Sequence, residues 1–255
     1  MASVPLRHLV SYCSELLSEA DFTDYGPNGL QVDGRAEVSK IVTGVSACEE
    51  LFRRALQVGA DSVLVHHGLL WKSQSMAPIT GFHYRRLKTL IESGMSLVAY
   101  HLPLDAHGEL GNNALGARAL GLYDLQKFCR HQGTPIGIHG RFAEPVLADE
   151  LIARCTRVFE QSPLAFAHGP DPVRTLGIVS GGAQREFYEA IDLGLDAYLT
   201  GEASEWVQNV AREAGVHYLA AGHYATERLG IRALGEHLAQ RFGIEASFID
   251  VPNPV

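Results

Sequence analysis

Two adjacent histidines, His66 and His67, end the apolar run of the segment VLVHHGLLW (residues 63–71). Apolar and β-branched side chains are typical of a buried strand, but two imidazoles at its tip are not, unless they bind something there. Because alternate side chains of an extended strand point to opposite faces, the two rings are expected to diverge, and each could hold a different ion of a pair. The plain alternative is a polar strand end, with one ring hydrogen-bonded and the other in water.

Three further polar signals occur at predicted strand ends or in the first turn after them. They are His101 with Asp105, then Glu202, and then His223 with Glu227. If the segment AAGHYATER (220–228) opens a helix, its histidine and glutamate are four residues apart and lie on one face. Each signal also has a structural interpretation: a surface pair on a helix, a histidine packed under a loop, a carboxylate that caps a loop, or a first-turn residue of the next helix.

The combination of these residue types indicates a metal site. Neutral imidazole nitrogen and carboxylate oxygen suit Zn, Mn, Fe, Co or Ni, and the absence of a thiolate pattern argues against a purely structural zinc site. Two-metal sites hold their ions about 3.5–4 Å apart, and one carboxylate can bridge them. We therefore expect two divalent metal ions per chain.

Strand and helix patterns alternate in the part of the chain that carries the first histidines. The pattern predicts strands at residues 40–46 and 61–68, a third strand within 95–105 that runs into a proline-containing loop, and helices at 48–59 and 84–94. Such alternation predicts an α/β layer with a largely parallel sheet. Because the carboxyl ends of parallel strands meet at one edge of the sheet, the polar strand ends are expected at the edge where α/β proteins bind ligands.

The second half of the chain resembles the first. Residues 40–68 align with residues 175–202 at a constant separation of 135 positions. Four aligned pairs are identical: Phe52 with Phe187, Ala55 with Ala190, Gly59 with Gly194, and Asp61 with Asp196. Downstream, a separation of 122 residues matches His101 with His223 and Asp105 with Glu227. We therefore expect two similar, intertwined αβα lobes with mixed, largely parallel sheets, related by an internal duplication.

Residues 128–146 interrupt this pattern with glycine and proline, and we interpret them as a linker that contains one strand. The predicted metal-binding lobe is discontinuous and comprises residues 1–123 and 220–255. Residues 124–219 form the predicted second α/β lobe. The glycine-rich segment SGGAQRE (180–186) precedes a helix and could cradle a phosphate, although it lacks the lysine and the spacing of a P-loop.

Composition excludes several classes of protein. The chain has 255 residues and a net charge of −8, which argues against non-specific binding to nucleic acid or to a membrane surface. No stretch approaches the ~18 apolar residues of a membrane span. The start of the chain, MASVPLRHLVSYCSELL, predicts an amphipathic helix, and the four cysteines show no C-x-x-C spacing, which fits a reducing cytoplasm.

Several segments together resemble one known family. They are DYGPNGLQVDG (24–34), VHHGLLW (65–71), YHLPLDAHGELGNN (100–113), TGEASEW (200–206), AGHYATERLGIRAL (221–234) and FIDVPNPV (248–255). In this order and over nearly the full chain, they are similar to the NIF-three-like family, whose bacterial members are called GTP cyclohydrolase I type 2 homologs. The chain corresponds to the short form, which lacks an inserted domain.

The resemblance implies a dinuclear metal centre. Its ligands would be His66, His67, Asp105, His223 and Glu227, with Glu227 bridging. One ion would be held by His66 and His223 and the other by His67 and Asp105, while His101 would lie beside the ligands or face the substrate. The resemblance also implies a toroidal homohexamer, a trimer of dimers, with its metal sites facing an inner cavity.

The leading functional hypothesis is a metal-dependent hydrolase that acts on a nucleotide or a phosphoester. The alternative is a non-catalytic metal-binding regulator, chaperone or scaffold. The candidates for proton transfer are His101, His107, Glu109 and Glu202. An acidic protein that binds phosphate groups needs local cations, and the candidates near the motifs are Lys72, Arg141 and Arg228.

Overall fold

The computed structural model describes residues 2–74 and 78–255. In these ranges the strands are β1 (Val4–Pro5), β2 (Gly29–Val32), β3 (Glu37–Val38), β4 (Lys40–Ser46), β5 (Ser62–His67), β6 (Ser96–Ala99), β7 (Leu122–His131), β8 (Thr134–Val146), β9 (Leu164–Phe166), β10 (Val173–Ile178), β11 (Ala197–Thr200), β12 (His217–Ala220) and β13 (Glu245–Phe248). The helices are α1 (Leu6–Leu16), α2 (Glu49–Gln57), α3 (Gly81–Ser93), α4 (Leu102–Ala106), α5 (Asn112–Leu120), α6 (Ala148–Phe159), α7 (Phe187–Asp192), α8 (Val207–Ala214), α9 (His223–Thr226) and α10 (Arg228–Phe242).

The chain divides into two compact units. The first comprises residues 1–104 and 230–251, and the second comprises residues 105–229 and 252–255. This division is discontinuous, but its boundaries differ from the ones that the sequence suggested. Strand β12 pairs with β11 and β9 and so belongs to the sheet of the second unit. Helix α5 packs against β7 and β8 of the same sheet, so residues 105–123 and 220–229 also belong there.

The sheet of the first unit has five strands in the order β13-β4-β5-β6-β2. The four strands from β13 to β6 are parallel, and β2 runs antiparallel to β6. The interior of β4 and all of β5 up to its last residue are buried, as expected for parallel strands covered on both faces. Helix α2 buries Leu51, Phe52 and Ala55 in the core against Val63 and Val65 of β5.

The sheet of the second unit has six strands in the order β7-β8-β10-β11-β12-β9. Strands β10, β11 and β12 are parallel, whereas β8 and β9 run antiparallel to their neighbours. Its core joins Leu176 and Leu199 of the sheet to Leu151, Cys155 and Phe159 of helix α6. Both units are therefore mixed α/β layers with a parallel centre, as predicted.

Strand register confirms the internal duplication. In the first unit β4 pairs with β5 so that Ile41 lies opposite Ser62. In the second, β10 pairs with β11 so that Leu176 lies opposite Ala197, and both residues are 135 positions later. The β4–β5 pair and the β10–β11 pair therefore have the same register at equivalent residues.

The aspartate that the two copies share has the same task in each. The Asp61 carboxylate accepts hydrogen bonds from the backbone N–H groups of Ser39 and Lys40, at 2.9 and 3.1 Å. The Asp196 carboxylate accepts them from the two residues at the equivalent positions, 174 and 175, at 2.7 and 3.0 Å. Each aspartate fixes the start of the neighbouring strand, which explains why the residue type recurs.

Two local predictions were wrong. Residues 128–146 are not a linker, because they lie in the long antiparallel hairpin of β7 and β8. Its two-residue turn, Gln132–Gly133, has φ of 48° and 93°, the left-handed pair that a tight hairpin favours. The third strand of the first unit ends at Ala99, and residues 102–106 form helix α4 instead of a loop.

None of the helices in the described ranges is long and apolar enough to cross a membrane.

Candidate metal centre

The two adjacent histidines lie at the end of β5, as predicted. His66 is fully buried, and its Nδ1 lies 3.0 Å from the carbonyl oxygen of Tyr100. A carbonyl can only accept a hydrogen bond, so Nδ1 carries the proton and Nε2 is the ring nitrogen that can bind a metal. His67 Nδ1 also has an oxygen partner, the hydroxyl of Ser46 at 3.1 Å, which can either donate or accept.

The two rings do not diverge as alternation along an extended strand would require. Their centroids are 4.7 Å apart. The pairing of β5 with β6 ends at Val65, so the last two residues of β5 are held by β4 alone. The backbone is therefore less constrained at this point, and both imidazoles lie in one cluster.

His101 completes a cluster of three histidines within the first unit. Its ring centroid is 5.1 Å from that of His66 and 5.5 Å from that of His67. One ring nitrogen from each of the three lies within 4.8 Å of the others. A group of this composition can hold a divalent transition metal ion.

A buried carboxylate, Asp24, orients His101. Its Oδ1 lies 2.7 Å from His101 Nδ1. Burial alone would raise the pKa of Asp24, but hydrogen bonds from His101, Asn28 and the backbone N–H of Tyr25 outweigh burial and lower that pKa to about 2. Asp24 is therefore ionised at physiological pH, and sequence reasoning did not select it, although it lies in the segment DYGPNGLQVDG.

Asp105 is held inside the second unit by donors that the sequence did not predict. Its side chain is buried, and Oδ1 accepts hydrogen bonds from Asn112 Nδ2 and Ser180 Oγ, both at 2.8 Å. Asn113 supports the same corner, because its Oδ1 accepts a hydrogen bond from the backbone N–H of Ser180. The signal for these partners was the polar pair in GELGNN, which follows the aspartate closely.

His223 and Glu227 meet as their spacing predicted. Glu227 is 2% exposed, and its Oε1 lies 3.3 Å from His223 Nε2. One of its carboxylate oxygens also lies within 4.8 Å of one from Asp105, so Glu227 has both an imidazole and a second carboxylate of its own unit nearby. Helix α9 is short: it ends at Thr226, and Glu227 is its C-cap residue.

Glu202 acts on His223 and is not the N-cap of α8, which begins at Val207. Its Oε1 lies 2.6 Å from His223 Nδ1, and its Oε2 accepts a hydrogen bond from Gln184. Burial alone would lower the pKa of His223, but Glu227 and Glu202 outweigh burial and raise that pKa to about 9. A metal ion bound to this ring must therefore displace a proton.

The glycine-rich segment 180–186 forms a wall beside these residues. The backbone N–H groups of Ser180, Gly181 and Ala183 donate to Asn113, Thr226 and Thr200, respectively. Because these three amides already have acceptors in the protein, the interpretation of this segment as a phosphate cradle is not supported. Gly181 has φ of 68°, and a Cβ there would lie 2.2 Å from Glu227 Oε1, so the wall requires glycine.

The remaining candidates have structural contacts of their own. His107 Nδ1 accepts hydrogen bonds from the backbone N–H groups of Glu109 and Leu110, and the Glu109 side chain is exposed. Arg141 pairs with Asp124 at 3.1 Å and lies over the Tyr123 ring. Arg228 donates to Glu160 and to the carbonyl of Phe159, whereas Lys72 is exposed.

The donor sets of the two clusters fit divalent transition metals. Unit one supplies three imidazoles, and unit two supplies two carboxylates and one imidazole. All four histidines have Nδ1 beside an oxygen of their own unit, which is the arrangement that orients imidazole ligands in metalloproteins.

Comparison with known proteins identifies the family. The model of the Duf34/NIF3 (NGG1p interacting factor 3) family matches residues 4–254. A Pasteurella multocida protein named GTP cyclohydrolase 1 type 2 homolog is 45% identical over 256 residues, with 100% of both chains covered. A solved structure described as protein ybgI, of unknown function, has a TM-score of 0.94 at 42% identity and covers 99% of this chain and 100% of its own. The protein TTHA1606 from Thermus thermophilus has a TM-score of 0.89 at 39% identity, with 99% and 100% covered. The chain thus belongs to the Duf34/NIF3 family.

Proposed function

We propose that this protein is a hydrolase that depends on two divalent metal ions and acts on a nucleotide or a phosphoester. The observation that carries this proposal is the orientation of the histidines. In His66, His67 and His101 a neighbouring oxygen engages Nδ1, which leaves Nε2 as the nitrogen for a metal. A surface histidine has no need of such an arrangement, whereas a metal ligand does.

The proposed ligands are His66, His67, Asp105, His223 and Glu227, with Glu227 bridging the two ions. These side chains supply the imidazole nitrogens and carboxylate oxygens that suit divalent transition metals. Glu227 suits the bridging role because a carboxylate has two oxygens and this side chain is buried.

Divalent ions held by these residues would lower the pKa of a water molecule toward about 7 and polarise the bond under attack. Side chains of the protein orient a ligand and attract the substrate. Glu202 accepts a hydrogen bond from the Nδ1–H of His223 and fixes the orientation of that ring. Lys72 is exposed, whereas Arg141 pairs with Asp124 and Arg228 with Glu160, and we therefore assign to Lys72 the attraction of phosphate groups. The name that the relatives carry, GTP cyclohydrolase 1 type 2 homolog, supports a nucleotide as substrate.

The test is turnover by metal-loaded protein. Protein loaded with Mn²⁺, Zn²⁺ or Fe²⁺ is incubated with GTP and with a panel of nucleotides and phosphoesters. We expect product formation that His67→Ala abolishes and that His83→Ala, a control on helix α3, leaves unchanged. Formate release from GTP would indicate ring opening, and phosphate release would indicate phosphoester hydrolysis. Stoichiometric metal without turnover of any substrate would contradict the proposal and favour the non-catalytic regulator, chaperone or scaffold.

We also propose that the chain assembles as a toroidal homohexamer, a trimer of dimers. Helix α3 supports self-association, because it buries only Leu90 and exposes Phe82, Tyr84 and Ile91 to solvent. Light scattering on the purified protein would give the mass, and Ile91→Glu is expected to lower it. A monomeric wild type would contradict the assembly.

We place the protein in the cytoplasm. All four cysteines of the sequence lie in the described ranges and are free thiols, which a reducing compartment maintains.

A further inference from the structure

We infer that His101 is a sixth protein ligand of the metal centre and that Asp24 is the residue that positions it. This inference rests on the metal binding in the proposed function but not on catalysis. It adds an imidazole to the five ligands proposed above, and it lies entirely within the first unit.

The position of the His101 ring supports this role. One ring nitrogen of His101 lies within 4.8 Å of one from His66 and one from His67. Its Nδ1 is engaged by Asp24, so Nε2 is the nitrogen that can face an ion together with the other two histidines. Three imidazoles this close, each with Nδ1 engaged by an oxygen, form a metal-binding group before any metal is present.

Asp24 holds His101 more firmly than a chance contact would. Its side chain is 2% exposed. Besides the His101 ring, it accepts hydrogen bonds from the backbone N–H of Tyr25 at 2.6 Å, the backbone N–H of Leu102 at 3.0 Å and Asn28 Nδ2 at 3.0 Å. Asn28 in turn accepts a hydrogen bond from the backbone N–H of His101. Both the ring and the backbone of His101 are therefore fixed to one segment.

The carboxylate also changes the chemistry of the ring. A negative charge beside Nδ1–H increases the electron density at Nε2 and strengthens its bond to a cation. His66 and His67 have neutral oxygens at the same place, from a carbonyl and a hydroxyl. His101 is therefore expected to be the most strongly donating imidazole of the cluster.

The space beside His101 is small. A cavity of about 10 Å³ is lined by His66, His101, Trp71 and Gly68, among others, and that volume holds about one water molecule. The Trp71 ring meets His101 edge-on at 5.3 Å, and its Nε1 donates to the carbonyl of Gly68, so an anchored ring confines the imidazole on that side.

The first experiment counts imidazole ligands with Co²⁺ as the probe. In Co²⁺-loaded protein each coordinated histidine gives a strongly shifted, exchangeable N–H proton signal in the NMR spectrum. The inference predicts one signal from each of His66, His67, His101 and His223. His101→Gln should remove one signal, whereas His83→Gln should remove none. Three signals in the wild type, or the same number in wild type and His101→Gln, would overturn the inference. Because the wild-type count decides the matter, it remains testable if the variant does not fold.

The second experiment tests the positioning residue. Asp24→Asn removes the negative charge beside His101, and we expect about a 10–100-fold loss of Co²⁺ affinity. Asp33→Asn is the matched control, because that carboxylate is exposed and contacts Arg7 and the backbone N–H of Gly34, not a histidine of the cluster. Equal affinities of Asp24→Asn and wild type, with circular dichroism confirming a folded variant, would overturn the role of Asp24.

The two proposals fail in different ways. A wild type that gives four signals but turns over no substrate supports His101 as a ligand and overturns only the hydrolase proposal. A wild type that turns over substrate with three signals overturns only this inference. A wild type that binds no Co²⁺ overturns both.

Discussion

The two copies of the strand–helix–strand unit have the same frame but different residues at the strand tip. In the first copy β5 ends in His66 and His67, whereas the equivalent positions after β11 are Gly201 and Glu202. A Cβ at Gly201 would lie 2.5 Å from the Cα of His223, so the second copy has no room for an imidazole there. The two copies therefore share their strand pairing and differ in the residues that follow the strands.

Both copies nevertheless hold a histidine against a carboxylate after the next strand. Asp24 lies 2.7 Å from His101, and Glu202 lies 2.6 Å from His223. In the second copy the carboxylate comes from the neighbouring strand tip, whereas in the first it comes from a segment outside the repeat. In both copies a carboxylate oxygen therefore lies beside a histidine Nδ1, although the carboxylate belongs to a different segment in each copy.

The largest expected effect, a loss of both stability and metal binding, concerns the glycine of the second copy, Gly181, whose counterpart in the first copy is Ser46. Gly181→Ala places a Cβ against the buried Glu227 carboxylate at a left-handed backbone position. We expect a loss of about 1–3 kcal/mol in the free energy of unfolding from the backbone alone, together with loss of metal binding. Chemical denaturation and metal analysis would measure both. Gly182→Ala is the control, because its Cβ would have ordinary contacts, and equal stability of the two variants would contradict the prediction.

The next effect tests whether the frame is the same in both copies. Asp61→Ala and Asp196→Ala each remove two hydrogen bonds to backbone N–H groups. We expect each to cost about 2–3 kcal/mol of unfolding free energy, with Asp61 slightly more costly because it also pairs with Arg35 at 2.8 Å. Urea denaturation would compare them. A large cost in one copy and none in the other would mean that the equivalence is only geometric.

A pH effect is expected from the second copy. In metal-free protein the pKa of His223 is raised from 6.5 to about 9, because Glu227 and Glu202 outweigh burial. The folded state binds the proton more tightly, so this contribution to stability is complete below pH 6.5 and is lost as the pH rises through about 9. NMR titration of the His223 ring would measure the pKa, and Glu202→Gln should lower it. A wild-type pKa near 6.5 would contradict the role of the two carboxylates.

The smallest effect concerns Ser46 itself. Ser46→Ala removes the hydroxyl that lies 3.1 Å from His67 Nδ1. We expect about 0.5–1.5 kcal/mol of lost unfolding free energy and a several-fold weaker metal affinity, measured by calorimetry. A metal affinity equal to that of the wild type would mean that His67 needs no partner for its orientation.

The sequence predicted those parts of the fold that depend on local pattern. Apolar runs and stop glycines located β4, α2 and β5, because buried strands and capped helices have local signatures. The β7–β8 hairpin was missed because glycine and proline suggested a linker, whereas strand pairing overrides such preferences.

The candidate site was predicted only as a set of residues. Histidine and carboxylate types with suggestive spacing identified His223 and Glu227. No spacing could identify Asp24 as the partner of His101, because the two are 77 residues apart and meet only through folding. The same holds for Ser180 and Asp105, which are separated by 75 residues.

Strand β13 has a consequence for the order of folding during synthesis. It pairs with β4, with Glu245 opposite Lys40, so the outer neighbour of β4 is synthesised after all the other strands of the described residues. All six strands of the second sheet lie between Leu122 and Ala220, so that sheet can assemble earlier on the ribosome. Until β13 arrives, the edge of β4 presents unpaired backbone groups to other nascent chains. The sheet of the first unit is therefore open to misassembly until β13 has been synthesised.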